Sequence, residues 1–232
     1  MLFICRYRKL GYLTQLGTRR LSCTSVLLPV PWGSIASMQW SIGAGPYTDW
    51  IAIHGLLDNA GTFNAIIPGL AEGVRVTCID LPGHGLSSRL CPGSLYHWLD
   101  YVITVERLRL ALGMEQCVIL GHSMGGWIGG LYASILPHNT RAIISVDGVK
   151  PISRFSDGMI PRIREYISTL EKLERKGKEK EMSEEEAFEK LFRGTNMLHG
   201  EGSITEDAVK CLLERGIKKS DTGPGFVFTR EI

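Results

Sequence analysis

Short, almost continuously apolar runs recur along this chain and constrain its fold more than any other feature. Four of them lie at 50–53, 74–79, 117–120 and 142–146. The segments between them, at 62–72, 99–112 and 124–136, are predicted to be helices. Strands without polar alternation are typical of a sheet covered on both faces, and their alternation with helices is typical of parallel βαβ units. The pattern therefore predicts an α/β fold, in which a mostly parallel sheet is flanked by helices.

The third apolar run leads directly into the pattern G-x-S-x-G, formed by Gly121, Ser123 and Gly125. The pattern alone is a weak signal, but here it follows a strand and opens a helix, which is the context in which such a serine acts as a nucleophile. The turn is too sharp for side chains at its flanks, so the glycines remove Cβ atoms that would clash and the serine hydroxyl stays exposed. Ser123 is therefore the predicted nucleophile.

A second loop, beginning His54-Gly55-Leu56, follows the first apolar run. The strand, turn and helix around Ser123 form what is called a nucleophile elbow. In enzymes with such an elbow, one oxyanion donor is the N–H of the residue after the nucleophile, and the other comes from this loop. The candidate donors are therefore the backbone N–H groups of Met124 and Leu56. His54 could serve as a general base or as a brace for the loop, and the brace is favoured because the base of such enzymes lies near the chain end.

Three segments together resemble the α/β-hydrolase superfamily: H-G-L-L-D-N-A at 54–60, D-L-P-G-H-G-L-S-S at 80–88 and G-H-S-M-G-G at 121–126. More narrowly, V-P-W-G-S-I-A at 30–36 and L-L-E-R-G at 212–216 look like the serine hydrolase-like proteins, a cap-bearing animal branch. The resemblance implies an α/β-hydrolase fold with a helical cap insertion. It also implies that Ser123 attacks an ester, thioester or amide-type bond in a small acyl substrate, without identifying that substrate.

The triad of this fold runs in the order Ser, Asp or Glu, then His. Asp147, at the end of the fourth apolar run, is a candidate acid, although a structural role fits it equally well. The only histidine after it is His199, inside the helical segment. We therefore expect a C-terminally truncated chain that lacks the last strands, the last helix and the catalytic histidine. Two functions stay open: a serine hydrolase that forms an acyl-enzyme, and an inactive truncated isoform or pseudoenzyme that binds or regulates.

Composition divides the chain into a basic leader at 1–27, a hydrolase core at 28–148 and a helical cap or lid at 149–232. Within the cap, 161–180 is predicted to be a highly charged helix of mixed sign, which is typical of a solvated face. Ser183 opens another helix with a capping box, and a third helix is predicted from Thr205 to Gly216. Such a segment is expected to cover the site and to help select substrates.

The leader is basic and free of acidic residues. No Asp or Glu precedes Asp49, whereas the first twenty positions contain five cationic side chains, at Arg6, Arg8, Lys9, Arg19 and Arg20. Leaders of this kind resemble mitochondrial transit peptides, and a leader without an address is the alternative. The family that the chain resembles is associated with peroxisomes and cytoplasmic vesicles. We expect an intracellular location, in mitochondria or in one of those compartments.

Composition also bears on partners. The formal net charge is +2, which gives no general attraction for nucleic acid. None of the six cysteines forms a C-x-x-C pair, so no metal site is predicted. Residues 80–88 lack the third glycine of a dinucleotide loop, and no cofactor is predicted. No apolar run reaches the roughly 18 residues that span a bilayer. The expected partner, a small-molecule acyl substrate, is the one that the resemblance implies.

Overall fold

The computed structural model describes residues 5–7, 20–91, 94–148, 181–221 and 223–229, with four further helical positions at 161, 164, 167 and 168. The described strands are β1 Cys5–Tyr7, β2 Leu21–Val30, β3 Gly33–Ile42, β4 Thr48–Ile53, β5 Val74–Ile79, β6 Cys117–His122, β7 Thr140–Val146, β8 Ile217–Lys219 and β9 Phe226–Phe228. The described helices are α1 Trp98–Ala111, α2 Met124–Ile135, α3 Glu184–His199 and α4 Glu206–Gly216. The helix predicted over 161–180 lies outside the described residues, apart from those four positions.

Seven of the described strands form one sheet, in the order β1-β2-β3-β5-β4-β6-β7. Strand β4 pairs in parallel with β5 and β6, and β6 pairs in parallel with β7. The pairings of β1 with β2, β2 with β3 and β3 with β5 are antiparallel. The half of the sheet that carries the predicted site is therefore parallel, and the predicted α/β architecture is confirmed.

Both faces of the sheet are covered along its middle strands β4, β5 and β6, whereas most of β7 at one edge is exposed. Ile51 and Ile53 of β4 belong to one buried cluster with residues of α1 and α2, whereas Ala52 between them belongs to a second cluster. The second cluster includes Phe63 and Ile67, which come from the connection between β4 and β5. Burial on both faces explains why these strands have continuous apolar sequences instead of alternating ones.

The helix predicted over 62–72 is wrong. Two short 3-10 turns, Ala60–Phe63 and Ile67–Gly69, occupy this connection. Pro68 lacks an N–H donor and disfavours the α conformation of the residue before it, so an α-helix cannot propagate through this position. The apolar residues still reach the core, since Phe63 and Ile67 are fully buried.

The boundary of the basic leader also needs correction, because residues 21–27 belong to the sheet. Strand β2 pairs with β3 along its whole length, from Leu21 opposite Ile42 to Val30 opposite Gly33. The segment L-S-C-T-S-V is free of acidic residues like the rest of the predicted leader, but its apolar residues Leu21, Cys23 and Val26 are buried. Pairing with a distant apolar strand decided the structure of this segment.

The cap contains α3, α4 and the hairpin of β8 and β9, which enclose a small core of Met182, Ala187, Val209 and Leu213. The predicted capping box is confirmed, because Ser183 Oγ accepts from the Glu186 N–H at 3.1 Å and Glu186 Oε2 accepts from the Ser183 N–H at 2.9 Å. The third predicted helix is confirmed as α4, which Thr205 caps at its N-terminus.

Candidate active site

Ser123 lies on the turn between β6 and α2, at the carboxyl end of the parallel strands. Its φ of 50° and ψ of −115° put a non-glycine residue in a sparsely populated, strained region. The strain is held by hydrogen bonds, since the Ser123 N–H donates to Val146 O at 2.9 Å and Ser123 O accepts from Gly126 N–H at 2.9 Å. The serine is half-buried, neither inside the core nor in mid-helix.

The two glycines of the pattern are required by close backbone approaches. A Cβ on Gly121 would lie 2.5 Å from the carbonyl carbon and oxygen of Gly125. A Cβ on Gly125 would lie 1.9 Å from the carbonyl oxygen of Ile53 in β4. The first helical turn of α2 thus lies directly against two strands, which aims its free N–H groups at the edge where Ser123 is exposed.

His54 stabilises the loop after β4 through two hydrogen bonds. This histidine is fully buried; Nδ1–H donates to Gly55 O at 2.7 Å, and Nε2 accepts from the Leu81 N–H at 3.1 Å. Burial lowers the pKa of His54, so the ring is neutral. His54 therefore acts as a brace with both ring nitrogens engaged, as the sequence favoured, and the Leu56 N–H lies two residues further along the braced loop.

The turn that follows β5 is organised by Asp80. Its carboxylate accepts from the N–H groups of Ala60 and Leu86, each at 2.8 Å, and it pairs with Arg215 of α4 at 2.6 Å. Asp80 is completely buried and Arg215 is 6% exposed. A buried ion pair therefore joins the cap to the core loops beside the candidate site.

A second buried histidine, His84, lies in the same turn. Its ring centroid is 5.0 Å from that of His54, and its Nδ1 lies 3.1 Å from Pro82 O. Burial, with a smaller effect of the neighbouring His54, lowers the pKa of His84 from 6.5 to about 4. The folded chain therefore keeps two adjacent imidazoles neutral.

These histidines predict loss of stability in mild acid. Below pH 6.5, the ordinary pKa of histidine, His54 and His84 bind protons in the unfolded chain but stay neutral in the folded chain. The free energy of unfolding therefore falls as pH drops from 6.5 towards 4. The shift of His84 alone corresponds to about 3 kcal/mol at the acid end of this window. Urea unfolding at pH 7, 6 and 5 measures the slope, which His84→Gln should reduce. An equal slope in the variant would assign the effect to other groups.

Asp147 follows β7 and lies at the same edge as Ser123. It has a φ of 56°, and a Cβ on its neighbour Gly148 would lie 3.2 Å from Ser123 O, so this turn packs on the backbone of the elbow. Its charge also acts on His122. Its role as the acid stays a prediction. His199 ends α3 in the cap, and its side chain lies outside the described residues.

Two functional neighbours were not foreseen from the sequence. His122 Nδ1 lies 3.5 Å from Asp58 Oδ2, which connects the residue before the nucleophile to the loop after β4. Arg215 belongs to the segment L-L-E-R-G, and nothing in that segment predicts its pairing with Asp80. A charged residue in an otherwise apolar helix face was the one available signal for Arg215.

A cleft separates the cap from the core loops on this side of the molecule. Its walls include Leu57 and Asp58 from the loop after β4, Leu191 and Leu212 from the cap helices, and Phe228 from β9. The lining is mostly apolar with one carboxylate.

Within the described part of the chain, no group of three or more His, Cys, Asp or Glu side chains is arranged to hold a metal ion. None of the helices that the structure describes is long and apolar enough to span a membrane.

The fold and the elbow define an α/β hydrolase, and comparison with known proteins agrees. A family model described as the α/β hydrolase fold matches residues 51–168, just over half of the chain, so the chain belongs to this family. Among curated proteins it is similar to a serine hydrolase-like protein of Danio rerio, with 31% identity over 217 residues. That match covers 92% of this chain and 64% of the relative.

Two further relatives extend the comparison. Serine hydrolase-like protein 2 of Homo sapiens is 31% identical over 197 residues, covering 84% of this chain and 61% of that protein. The crystal structure of a hypothetical protein from Pseudomonas aeruginosa superposes with a TM-score of 0.76 at 28% identity, covering 89% of this chain and 70% of that one. The chain thus spans somewhat less than two thirds of the curated relatives' length.

Proposed function

We propose that this protein is a serine hydrolase in which Ser123 attacks an ester, thioester or amide-type bond and forms an acyl-enzyme. The observation that carries the proposal is the strained backbone of Ser123 between a parallel strand and a helix, with glycines at both flanking positions. Strain of this kind persists only where the surroundings hold it, and it is concentrated at functional sites.

The proposal assigns the oxyanion donors to the N–H groups of Met124 and Leu56. Met124 opens α2, so its N–H is one of the helix-terminal donors without an intrahelical partner, and the helix dipole favours negative charge there. Leu56 lies in the loop braced by His54. Preorganised donors at the developing oxyanion are worth roughly 3–4 kcal/mol each in enzymes of this kind.

No general base is assigned among the described residues. Both ring nitrogens of His54 are engaged, and His122 faces Asp58. Asp147 is retained as the candidate acid on its position at the edge of β7. Because a serine without a base is a weak nucleophile, the second candidate function is a chain that binds acyl compounds without turning them over.

A fluorophosphonate probe tests the proposal on the 232-residue chain. We expect the wild-type chain to be labelled slowly, since no base is assigned to Ser123, and Ser123→Ala to lose this labelling completely, because the probe reacts with the serine hydroxyl. Ser134→Ala, an exposed serine on the same helix whose hydroxyl only donates to Gly130 O, is the matched control and should label like wild type. Equal labelling of Ser123→Ala would refute the assignment. A soluble, folded chain that is never labelled would favour the binding function.

A further inference from the structure

The contact between Asp58 and His122 joins two segments whose relative position matters for the proposed reaction, the loop after β4 and the elbow that carries Ser123. His122 is the residue before the nucleophile, and Asp58 ends the loop that contains Leu56. Their charged atoms, Nδ1 and Oδ2, are 3.5 Å apart, with the side chains 33% and 26% exposed. This distance is longer than a normal hydrogen bond, and the contact is an ion pair when His122 is protonated. The Nδ1 atom is shielded from solvent and has no hydrogen-bond partner within the described part of the chain.

The loop is shaped to admit the imidazole. A Cβ on Gly55 would lie 2.9 Å from His122 Nδ1 and 3.2 Å from Asp58 Oδ2, so the absence of a side chain at Gly55 lets the ring lie against the loop backbone. The Asp58 N–H points back to Gly55 O at 3.3 Å, which closes a turn. Leu57 inside this turn has a φ of 64°, a left-handed conformation that a non-glycine residue adopts only under external constraint.

The loop is thus held from two sides by contacts of different kinds. On one side, His54 is neutral, fully buried and fixed by two hydrogen bonds. On the other side, the contact depends on a charge that His122 gains or loses. The half-buried position of His122 leaves its protonation open to solvent pH.

We propose that Asp58 and His122 form a titratable positioning pair. When His122 is protonated, the ion pair holds the loop of residues 54–58 against the elbow, so that the Leu56 N–H faces the acyl oxygen. When His122 loses its proton, the loop is released. This inference rests on the proposed function, because it assigns the pair a part in the same reaction.

The charges around His122 set the direction of the pH dependence. Asp58 from the loop after β4 raises the pKa of His122, burial opposes this, and Asp147 after β7 adds to the rise. His54, at the end of β4, is the other titratable group that interacts with it, and it stays neutral because burial lowers its pKa. The pair is therefore intact below the raised pKa of His122 and is lost as pH rises through it. A reaction limited by a general base shows the opposite trend, because the base must lose its proton.

The first experiment follows the imidazole of His122 by NMR titration of the histidine-labelled 232-residue chain, with His122→Gln used to assign its signal. We expect Asp58→Asn to lower the pKa of His122 by about one unit, since the nearest opposite charge is removed. The control is His138→Gln. His138 is exposed and lies just before β7, at the amino end of that strand, whereas His122 lies at the carboxyl end of β6, so this substitution should leave the pKa of His122 unchanged. An unchanged pKa in Asp58→Asn would overturn the pair.

The second experiment measures the rate of fluorophosphonate labelling of Ser123 against pH. In the wild-type chain the rate should fall as pH rises through the pKa measured by NMR. Asp58→Asn and His122→Gln should label roughly tenfold more slowly at the lower pH and lose this fall, because small displacements of catalytic groups have large kinetic effects. Profiles identical to wild type in both variants would overturn the positioning role.

A third readout separates failure of this inference from failure of the proposed function. If no chain is labelled at any pH, the hydrolase proposal fails, but amide hydrogen exchange of residues 55–58 still decides the positioning role. The comparison uses protection factors, in which the base-catalysed intrinsic exchange rate at each pH is divided out. Lower protection factors in both variants and in wild type at high pH support the pair, and unchanged protection factors refute it.

Discussion

Replacing Arg215 by methionine is expected to lower the free energy of unfolding by about 3–5 kcal/mol. The variant leaves the carboxyl group of Asp80 without its cationic partner at a position that is completely buried. Its remaining partners, the N–H groups of Ala60 and Leu86, do not neutralise the charge. Methionine keeps much of the length and apolar character of the arginine stem, so the effect reports the charge more than the packing.

Urea unfolding of both chains at pH 7, followed by circular dichroism, measures this difference. Lys210→Met on the same helix is the matched control, because Lys210 pairs with Asp207 at 3.3 Å with the two side chains 62% and 93% exposed. Exposed pairs contribute less than about 1 kcal/mol. If Arg215→Met were as mild as Lys210→Met, the buried pair would not be what attaches the cap.

The same variant should loosen the cap selectively. Helix α4 contacts the turn at Ala60–Phe63, and Asn59 Nδ2 donates to Leu212 O at 2.8 Å. With Arg215 removed, this hydrogen bond and the apolar contacts are left to hold the helix in place. Amide exchange in α4 should therefore accelerate more than exchange in β4 or β6, which lie in the centre of the sheet.

Gly125→Ala is expected to lower the free energy of unfolding by more than about 3 kcal/mol, or to prevent folding altogether. Its Cβ would overlap the carbonyl oxygen of Ile53 at 1.9 Å and approach His54 O at 2.8 Å. These atoms belong to the end of β4, a strand paired on both sides, which cannot shift without breaking its hydrogen bonds. The added methyl group therefore displaces α2, and Ser123 with it.

Gly194→Ala provides the control for this substitution. Gly194 lies within α3, and a Cβ there meets nothing within 4 Å. Alanine is the better helix former by up to about 1 kcal/mol, so this variant should be neutral or slightly more stable. Thermal unfolding of the two variants beside wild type separates the cases. A Gly125→Ala chain that melts like the Gly194→Ala chain would contradict the close approach at the elbow.

The elements of the core could be predicted because their signals are local. The four short apolar runs indicated strands, and all four are strands, although β7 is mostly exposed. The elbow is recognised from five consecutive positions. The position of Ser123, the parallel strands and the capping box at Ser183 follow from such local patterns. The helix predicted over 62–72 was wrong, because the apolar spacing of this segment is that of a helix but Pro68 prevents an α-helix from continuing through it.

The features that the sequence did not predict depend on contacts between residues far apart along the chain. Strand β2 was hidden in a leader-like composition, and its pairing with β3 places it in the sheet. Asp80 and Arg215 are 135 positions apart, and nothing near either residue announces the partner. Asp58 and His122 likewise meet only because β4 and β6 are neighbours in the sheet.

The amino-acid sequence by itself determined the class of fold and the position of Ser123 on its strand–turn–helix elbow, because both depend on apolar periodicity and on glycine at fixed spacings. Only the tertiary structure decided which charged side chains lie near Ser123 and what joins the cap to the core loops. The physical reason is that an ion pair needs two side chains within a few ångströms, and chain folding, not sequence proximity, brings them to that distance.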